Sequence, residues 1–118
     1  MSQQQILKGA TAKLSFCTRD ASRALINADT TPTITGAQLA GAAIATTGMS
    51  ITQQQDSTPA NITGRYYVTI TNTVTSGWSD LATGEVQISA TIGGTICTEE
   101  IKFLVRAASA ATPYIDVN

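Results

Sequence analysis

The side chains that most often carry catalysis or bind metal ions are sparse in this sequence. It contains no histidine, which excludes the Ser-His-Asp triad, the Cys-His pair and metal sites ligated by histidine. The two cysteines, Cys17 and Cys97, are too few for a structural zinc site. Glu99 and Glu100 would point to opposite faces of a strand, so they cannot form the facing carboxylate pair of a glycoside hydrolase. We therefore expect a non-enzymatic protein that has no cofactor.

The remaining ligand-binding patterns are weak. Asp80 and Glu85 flank a predicted turn and could offer oxygens to calcium, but the dense oxygen spacing of a calcium loop is missing, which favours a solvated loop. Asn61, Ile62 and Thr63 match the acceptor pattern for N-glycosylation. The first residues, MSQQQILKG, have neither the charged nor the apolar region of a signal peptide. We therefore attribute that match to chance and expect synthesis in the cytoplasm.

The charge balance argues against two classes of partner. Seven basic and eight acidic residues give a net charge of -1, and they are scattered along the chain. Nucleic-acid binding needs a cluster of Lys and Arg, so we expect no nucleic-acid partner. Weak electrostatics and the lack of a long apolar segment likewise predict no membrane partner. Instead, 20 threonines and two glutamine runs supply polarity, which suits surfaces that bind neighbours by hydrogen bonds and packing.

Alternation of apolar and polar residues with a period of two dominates the sequence and predicts an all-β fold. Besides an edge segment that contains Ile6, the predicted strands are 11–18, 22–26, 33–35, 49–53, 65–72, 85–92 and 95–106. About seven short antiparallel strands separated by frequent turns are typical of an immunoglobulin-like β-sandwich.

The chain is long enough for one hydrophobic core and too short for two. We expect one sandwich domain over residues 1–106, followed by an extended C-terminal arm over 107–118. The alanine-rich segment 37–47 is the best helix candidate, although glycines interrupt it.

The strongest local pattern is a β-hairpin whose turn is Gly93–Gly94. A two-residue turn fixes the register, and both strands then place their apolar residues on one inward face. The expected pairs are Ile92 with Thr95, Ala90 with Cys97, Val86 with Ile101, and Gly84 with Phe103. In this register Cys97 points inward, whereas Cys17 points outward on its own strand. Together with the reducing cytoplasm, this difference argues against a disulfide.

Four residues are candidates for an interface: Ile6, Trp78, Tyr114 and Ile115. Trp78 lies in a predicted connection, where it is either a plug for the core, the favoured interpretation, or an interface anchor. Tyr114 and Ile115 lie on the predicted arm, where a large aromatic and an aliphatic side chain favour contact with a partner.

The two ends of the chain resemble immunoglobulin-like accessory structural proteins of tailed-bacteriophage virions. The resemblance is carried by ILKGATAKLSF at 6–16, LATGEVQI at 81–88, IGGT at 92–95 and EIKFLV at 100–105. It implies a virion protein that assembles through sheet edges and extended arms, as a homo-oligomer with a trimer favoured. Its partners would be the major capsid protein or other virion proteins.

The leading functional hypothesis is therefore a capsid decoration, or cement, protein that bridges shell subunits. A neck, tail or baseplate module with the same sandwich is the alternative. A carbohydrate-binding or adhesion module is a third hypothesis, and it requires exposed aromatics, for which Tyr67, Trp78 and Tyr114 are the plausible set.

Overall fold

Two β-sheets packed face to face form the part of the chain that the computed structural model describes, residues 4–107. The elements in chain order are β1 Gln4–Leu7, β2 Ala12–Cys17, β3 Thr33–Leu39, β4 Ala42–Ala43, β5 Met49–Gln55, β6 Asn61–Ile70, α1 Asn72–Thr75, β7 Thr83–Ile92 and β8 Thr95–Arg106. One sheet has the order β1-β8-β7-β3-β4 and the other β2-β6-β5. The all-β sandwich expected from the sequence is confirmed.

The strand pairings are antiparallel except for β1, which pairs in parallel with the last four residues of β8. This parallel edge departs from the expected all-antiparallel arrangement. The predicted strands other than 22–26 each overlap an observed strand, and β3, β5, β6 and β7 are longer than expected. The C-terminal arm from residue 108 onward lies outside the described residues.

The core lies between the sheets and follows the period-two alternation of their strands. Its buried members are Ile6, Ala12, Leu14, Ala37, Val68, Ile70, Trp78, Val86, Ile88, Ile101, Phe103 and Val105. Burial of each large aliphatic or aromatic side chain contributes about 1.5–3 kcal/mol. At the centre, the Phe103 ring stacks on Trp78 with ring centroids 5.3 Å apart. The same ring covers Gly84, where an added Cβ would lie 2.4 Å from it.

The β7–β8 hairpin has the register expected from its glycine turn. All four predicted pairs are present, from Ile92 opposite Thr95 to Gly84 opposite Phe103. Gly93 and Gly94 have φ values of +56° and +81°, the left-handed conformation that two-residue hairpin turns require. The Asp29 carboxylate accepts hydrogen bonds from the Gly93 and Gly94 N–H groups, at 3.0 and 2.9 Å. The loop after β2 therefore holds the hairpin turn in place.

The best helix candidate of the sequence, 37–47, forms no helix. β3 continues through this segment to Leu39, and β4 then returns to pair Ala43 with Gln38. Ala40 and Gly41 have φ values of +52° and +81°, which form a tight turn and cannot continue a helix. Helix propensity of alanine was overridden because the segment has no amphipathic period to pack against a core.

The weak strand expected over 22–26 is also wrong. The Asp20 carboxylate accepts hydrogen bonds from the Ser22 and Ala24 N–H groups at 2.8 and 3.1 Å, which folds the segment into a turn. Arg23 has a φ of +69° within it. The only strand-like contact recorded for this stretch of the described chain is a bridge between Arg19 and Leu25.

Candidate interaction surface

Among residues 4–107, no strand covers the outer edge of β8 along much of its length. β1 covers that edge at Phe103–Arg106, and no strand within residues 4–107 pairs with it from Thr95 to Lys102. Every residue from Thr95 to Glu100 is exposed. The Arg106 C=O accepts a hydrogen bond from Lys8 N–H on the β1 side at 2.8 Å. Because backbone direction alternates along a strand, the backbone groups of Thr98, Glu100 and Lys102 face the same free edge.

Strand β2 also has an edge that no strand of the described chain covers, because its only strand partner is β6. At one position the Gln4 side chain takes the place of a strand. Its amide donates to the Ser15 C=O and accepts from the Ser15 N–H, both at 3.0 Å. The backbone of Gln4 meanwhile pairs with Phe103 in the other sheet. Gln4 thus joins the two sheets at the point where β1 begins.

An open cleft of about 660 Å³ lies between these two edges. Its lining residues are Gln4, Ser15, Phe16, Cys17, Ile88, Glu99, Glu100, Ile101 and Lys102. Ile88 and Ile101 are core residues, and half-buried Phe16 stacks on Tyr66 with ring centroids 5.5 Å apart. The cleft therefore has an apolar floor and two walls of strand edge. We call this region the slot.

Acidic groups border the slot on β8. The Glu99 carboxylate accepts a hydrogen bond from the neighbouring Glu100 N–H at 3.1 Å, so a local side chain satisfies one edge donor. A hydrogen bond with Glu100 raises the pKa of Glu85 on β7, with further contributions from burial and from repulsion by Glu100. The Lys102 ammonium acts in the opposite direction. The pairing with Glu100 therefore favours the protonated form of Glu85.

The tip of the β7–β8 hairpin carries the most exposed large apolar side chain of the described chain, Ile96, which is 72% exposed. Cys97 beside it is also exposed, although its strand phase predicted an inward position. The reason is that β2 of the facing sheet ends at Cys17, so the tip extends past its cover. Cys17 and Cys97 are both free thiols.

Two of the four candidate interface residues lie in the core, and their assignment to an interface is corrected. Ile6 is 1% exposed because its pairing with Val105 places it between the sheets. Trp78 is 7% exposed and stacks on Phe103, so the core-plug interpretation describes its position. Tyr114 and Ile115 lie outside the described residues.

The aromatic set for carbohydrate binding is not brought together in the described part of the chain. Half-buried Tyr67 lies on β6 with the Lys13 ammonium 4.8 Å from its ring centroid, whereas Trp78 is buried. Tyr114 again falls outside the described residues.

Sequence reasoning missed the slot and the bridging role of Gln4. One signal was available, because the predicted strand 95–106 is much longer than the edge segment around Ile6. A short edge strand cannot cover a long neighbour, so part of the long strand had to remain open. The parallel register that sets which part is open follows from no local motif.

Asp80 and Glu85, the two carboxylates weighed as calcium ligands, each interact with another part of the protein. The Asp80 carboxylate accepts a hydrogen bond from the Ala107 N–H at 2.8 Å, and Glu85 interacts with Glu100. Between residues 4 and 107, no group of three or more His, Cys, Asp or Glu side chains is placed to hold a metal ion. The helix present in that range is too short and polar to cross a membrane.

A scan against protein-family models, a search of curated proteins and a search of solved structures each find no match to this chain.

Proposed function

We propose that the chain is a structural protein of a tailed-phage virion, a capsid decoration protein that binds and bridges major capsid subunits. It is made in the cytoplasm of the host bacterium and acts by binding, not by catalysis. The observation that carries the proposal is the open side of the sandwich, where a strand edge that no strand of residues 4–107 covers runs beside the apolar-floored slot. Exposed Ile96 lies near the end of the same strand, on the outer face of its sheet. A contiguous exposed surface of this kind is typical of an interaction site.

The strand order supports an immunoglobulin-like interpretation of the sandwich. Immunoglobulin domains place strands B, E and D in one sheet and strands C, F and G in the other, with C′ added in the variable type. If β2 to β8 are lettered in chain order as B, C, C′, D, E, F and G, the observed sheets read B-E-D and G-F-C-C′. This strand order supports the resemblance of the sequence to immunoglobulin-like proteins.

The composition of the surface also supports assembly. Only 13% of residues are charged, and exposed threonines occupy the hairpin tip at Thr95 and Thr98. Apart from Glu99, Glu100 and Lys102 at the slot, such a surface can approach a protein shell without desolvating many charges, which is a large cost of interface formation. An interface of roughly 800 Å² per partner is enough for a stable contact, and repeated copies on a shell add avidity.

The test is co-sedimentation of the purified chain with empty shells, and separately with tails, of the phage that encodes it. We expect capture by shells. An Ile96→Asp variant should weaken capture about tenfold or more, as expected for loss of an interface anchor. Thr52→Asp, at an exposed position of β5 on the other sheet, is the matched control and should bind normally.

Capture by tails and not by shells would assign the chain to the neck, tail or baseplate instead. A chain that sediments with neither particle would overturn the virion proposal.

A further inference from the structure

The outer face of the three-stranded sheet differs in charge from the rest of the described chain. Strands β2, β5 and β6 carry no Asp or Glu, and their two cations, Lys13 and Arg65, are exposed on this face. The acidic residues of the described chain lie in loops or on the five-stranded sheet. Asp56, which directly follows β5, turns its carboxylate to the Thr58 and Ala60 N–H groups. The face therefore favours a ligand that carries negative charge.

An open depression of about 340 Å³ lies on this face beside Tyr67. It is lined by Lys13, Ser15, Gln54, Gln55 and Tyr67. The Lys13 ammonium lies 4.8 Å from the centroid of the Tyr67 ring, a cation–π contact that fixes the position of the charge at the depression. The volume falls within the range of small-ligand sites.

A β-bulge in β5 brings two neighbouring amides to the depression. In a regular strand consecutive side chains point to opposite faces, so Gln54 and Gln55 could not both line it. The register of β5 on β6 shifts between Gln53 and Gln55, and this irregularity lets both amides reach the same side. Bulges occur often next to active sites, where they re-aim a side chain.

Most polar groups of the depression are available to a ligand. The Gln54 amide, the Ser15 hydroxyl and the Tyr67 hydroxyl make no hydrogen bond within residues 4–107. The Gln55 amide N–H donates to the Asn61 side-chain oxygen at 3.2 Å, which leaves its own oxygen to accept. Amides and hydroxyls both donate and accept hydrogen bonds, as the hydroxyl groups of a sugar do.

We propose that this depression binds an acidic saccharide, a sugar unit that carries a carboxylate. The Lys13 ammonium would pair with the carboxylate, while Gln54 and Ser15 would bond to the sugar hydroxyls. A single-stranded nucleic acid fits less well, because it needs a cationic groove along its backbone and the lining has one cation. The inference goes beyond the proposed function, because a saccharide site does not depend on attachment to a shell.

The test is a titration of the full chain with three acidic sugars, followed by NMR and calorimetry. The probes are glucuronic acid, trigalacturonic acid and N-acetylneuraminic acid, and the matched ligand for each is its methyl ester, which keeps the rings and loses the charge. We expect saturable binding of at least one acid, about fivefold tighter than binding of its ester, because the ester forms no ion pair with Lys13. The amide signals of Lys13, Gln54 and Tyr67 should shift.

Variants on the two sheets locate the site. Lys13→Gln should bind the acid and its ester equally, whereas Gln54→Ala should weaken both by a similar factor. Tyr67→Phe keeps the ring that holds the ammonium and should keep the preference for the acid. Lys102→Gln, which removes a lysine from the five-stranded sheet, is the matched control and should bind as the wild type does.

Three results would overturn the inference: no saturable binding of any of the acids, equal affinity for acid and ester, or a Lys13→Gln variant that keeps the preference. Tighter binding of oligothymidylate than of every acidic sugar would also overturn it and assign the face to single-stranded nucleic acid. Saccharide binding by a chain that ignores shells and tails would support this inference while the proposed function fails. Shell capture by a chain that binds no acidic sugar would do the reverse.

Discussion

Strand β8 contains two regions that differ sharply although they belong to one continuous strand. From Phe103 to Arg106 it pairs with β1 on one side, and on the other it pairs with β7 as far as Leu104 and Val105 bonds to Leu81 and Ala82. Phe103 and Val105 are fully buried. From Thr95 to Glu100 its only strand partner within residues 4–107 is β7, and every residue is exposed. The two regions also differ in sequence, since residues 95–100 read TICTEE and residues 103–106 read FLVR. Burial along this strand therefore follows both the side chains that it carries and the strand that covers it.

The largest expected effect is a difference in stability between two variants. Each variant truncates one apolar side chain, one variant in each region of β8. Phe103→Ala should lower the free energy of unfolding by about 3–5 kcal/mol, because it removes the ring that stacks on Trp78 and covers Gly84. Ile96→Ala should change it by no more than about 0.5 kcal/mol, as for other exposed positions. Urea denaturation of both variants measures the difference. Equal losses would mean that the hairpin tip is part of the core.

The next effect concerns the boundary between the two regions, where Gln4 bridges the sheets. Gln4→Met keeps the length of the side chain but removes both hydrogen bonds to Ser15, and should cost about 1 kcal/mol. Hydrogen exchange should show the Ser15 amide losing protection. The Thr18 amide, which donates to the Gly64 C=O at 2.8 Å, serves as the internal control. Unchanged protection at Ser15 would mean that the bridge does not form in solution.

The smallest effect is a pH dependence at the open region. The pKa of Glu85 is raised by its hydrogen bond with Glu100, so its stabilising contribution is present below the ordinary glutamate pKa of 4.5 and is lost as the pH rises through the raised value. The urea concentration at the unfolding midpoint of the wild type should therefore decrease through this pair as the pH rises above 4.5. Glu85→Gln should flatten it, and Glu100→Gln should do the same because it removes the same pair. A slope identical in all three proteins would contradict the interaction.

The hairpin could be predicted from the sequence because its register depends on two adjacent glycines and two alternating strands. The pairing of Ile6 with Val105 could not, because these residues are far apart in the chain and no turn connects them. Without that pairing, Ile6 looked like an edge residue free to contact a partner. A core position that depends on a long-range parallel contact is invisible to local patterns.

The turn between β3 and β4 is a second case in which local sequence patterns did not predict the structure. Alanine-rich 37–47 was the best helix candidate although glycines interrupt it, and a turn at Ala40 and Gly41 that pairs Gln38 with Ala43 forms there instead. The candidate interaction surface was predicted least well. Composition predicted binding through threonine-rich surfaces, which stays a prediction. The position of the slot depends on the parallel register of β1 on β8, which no local motif sets.

The hold of Asp29 on the glycine turn has a further consequence for recognition. A protruding hairpin normally samples many orientations, and a partner that captures it must arrest that motion at an entropic cost. Here two charge-assisted hydrogen bonds anchor the turn to the body of the domain. The projecting tip is therefore presented in one orientation before any encounter, so more of the contact free energy remains available for affinity.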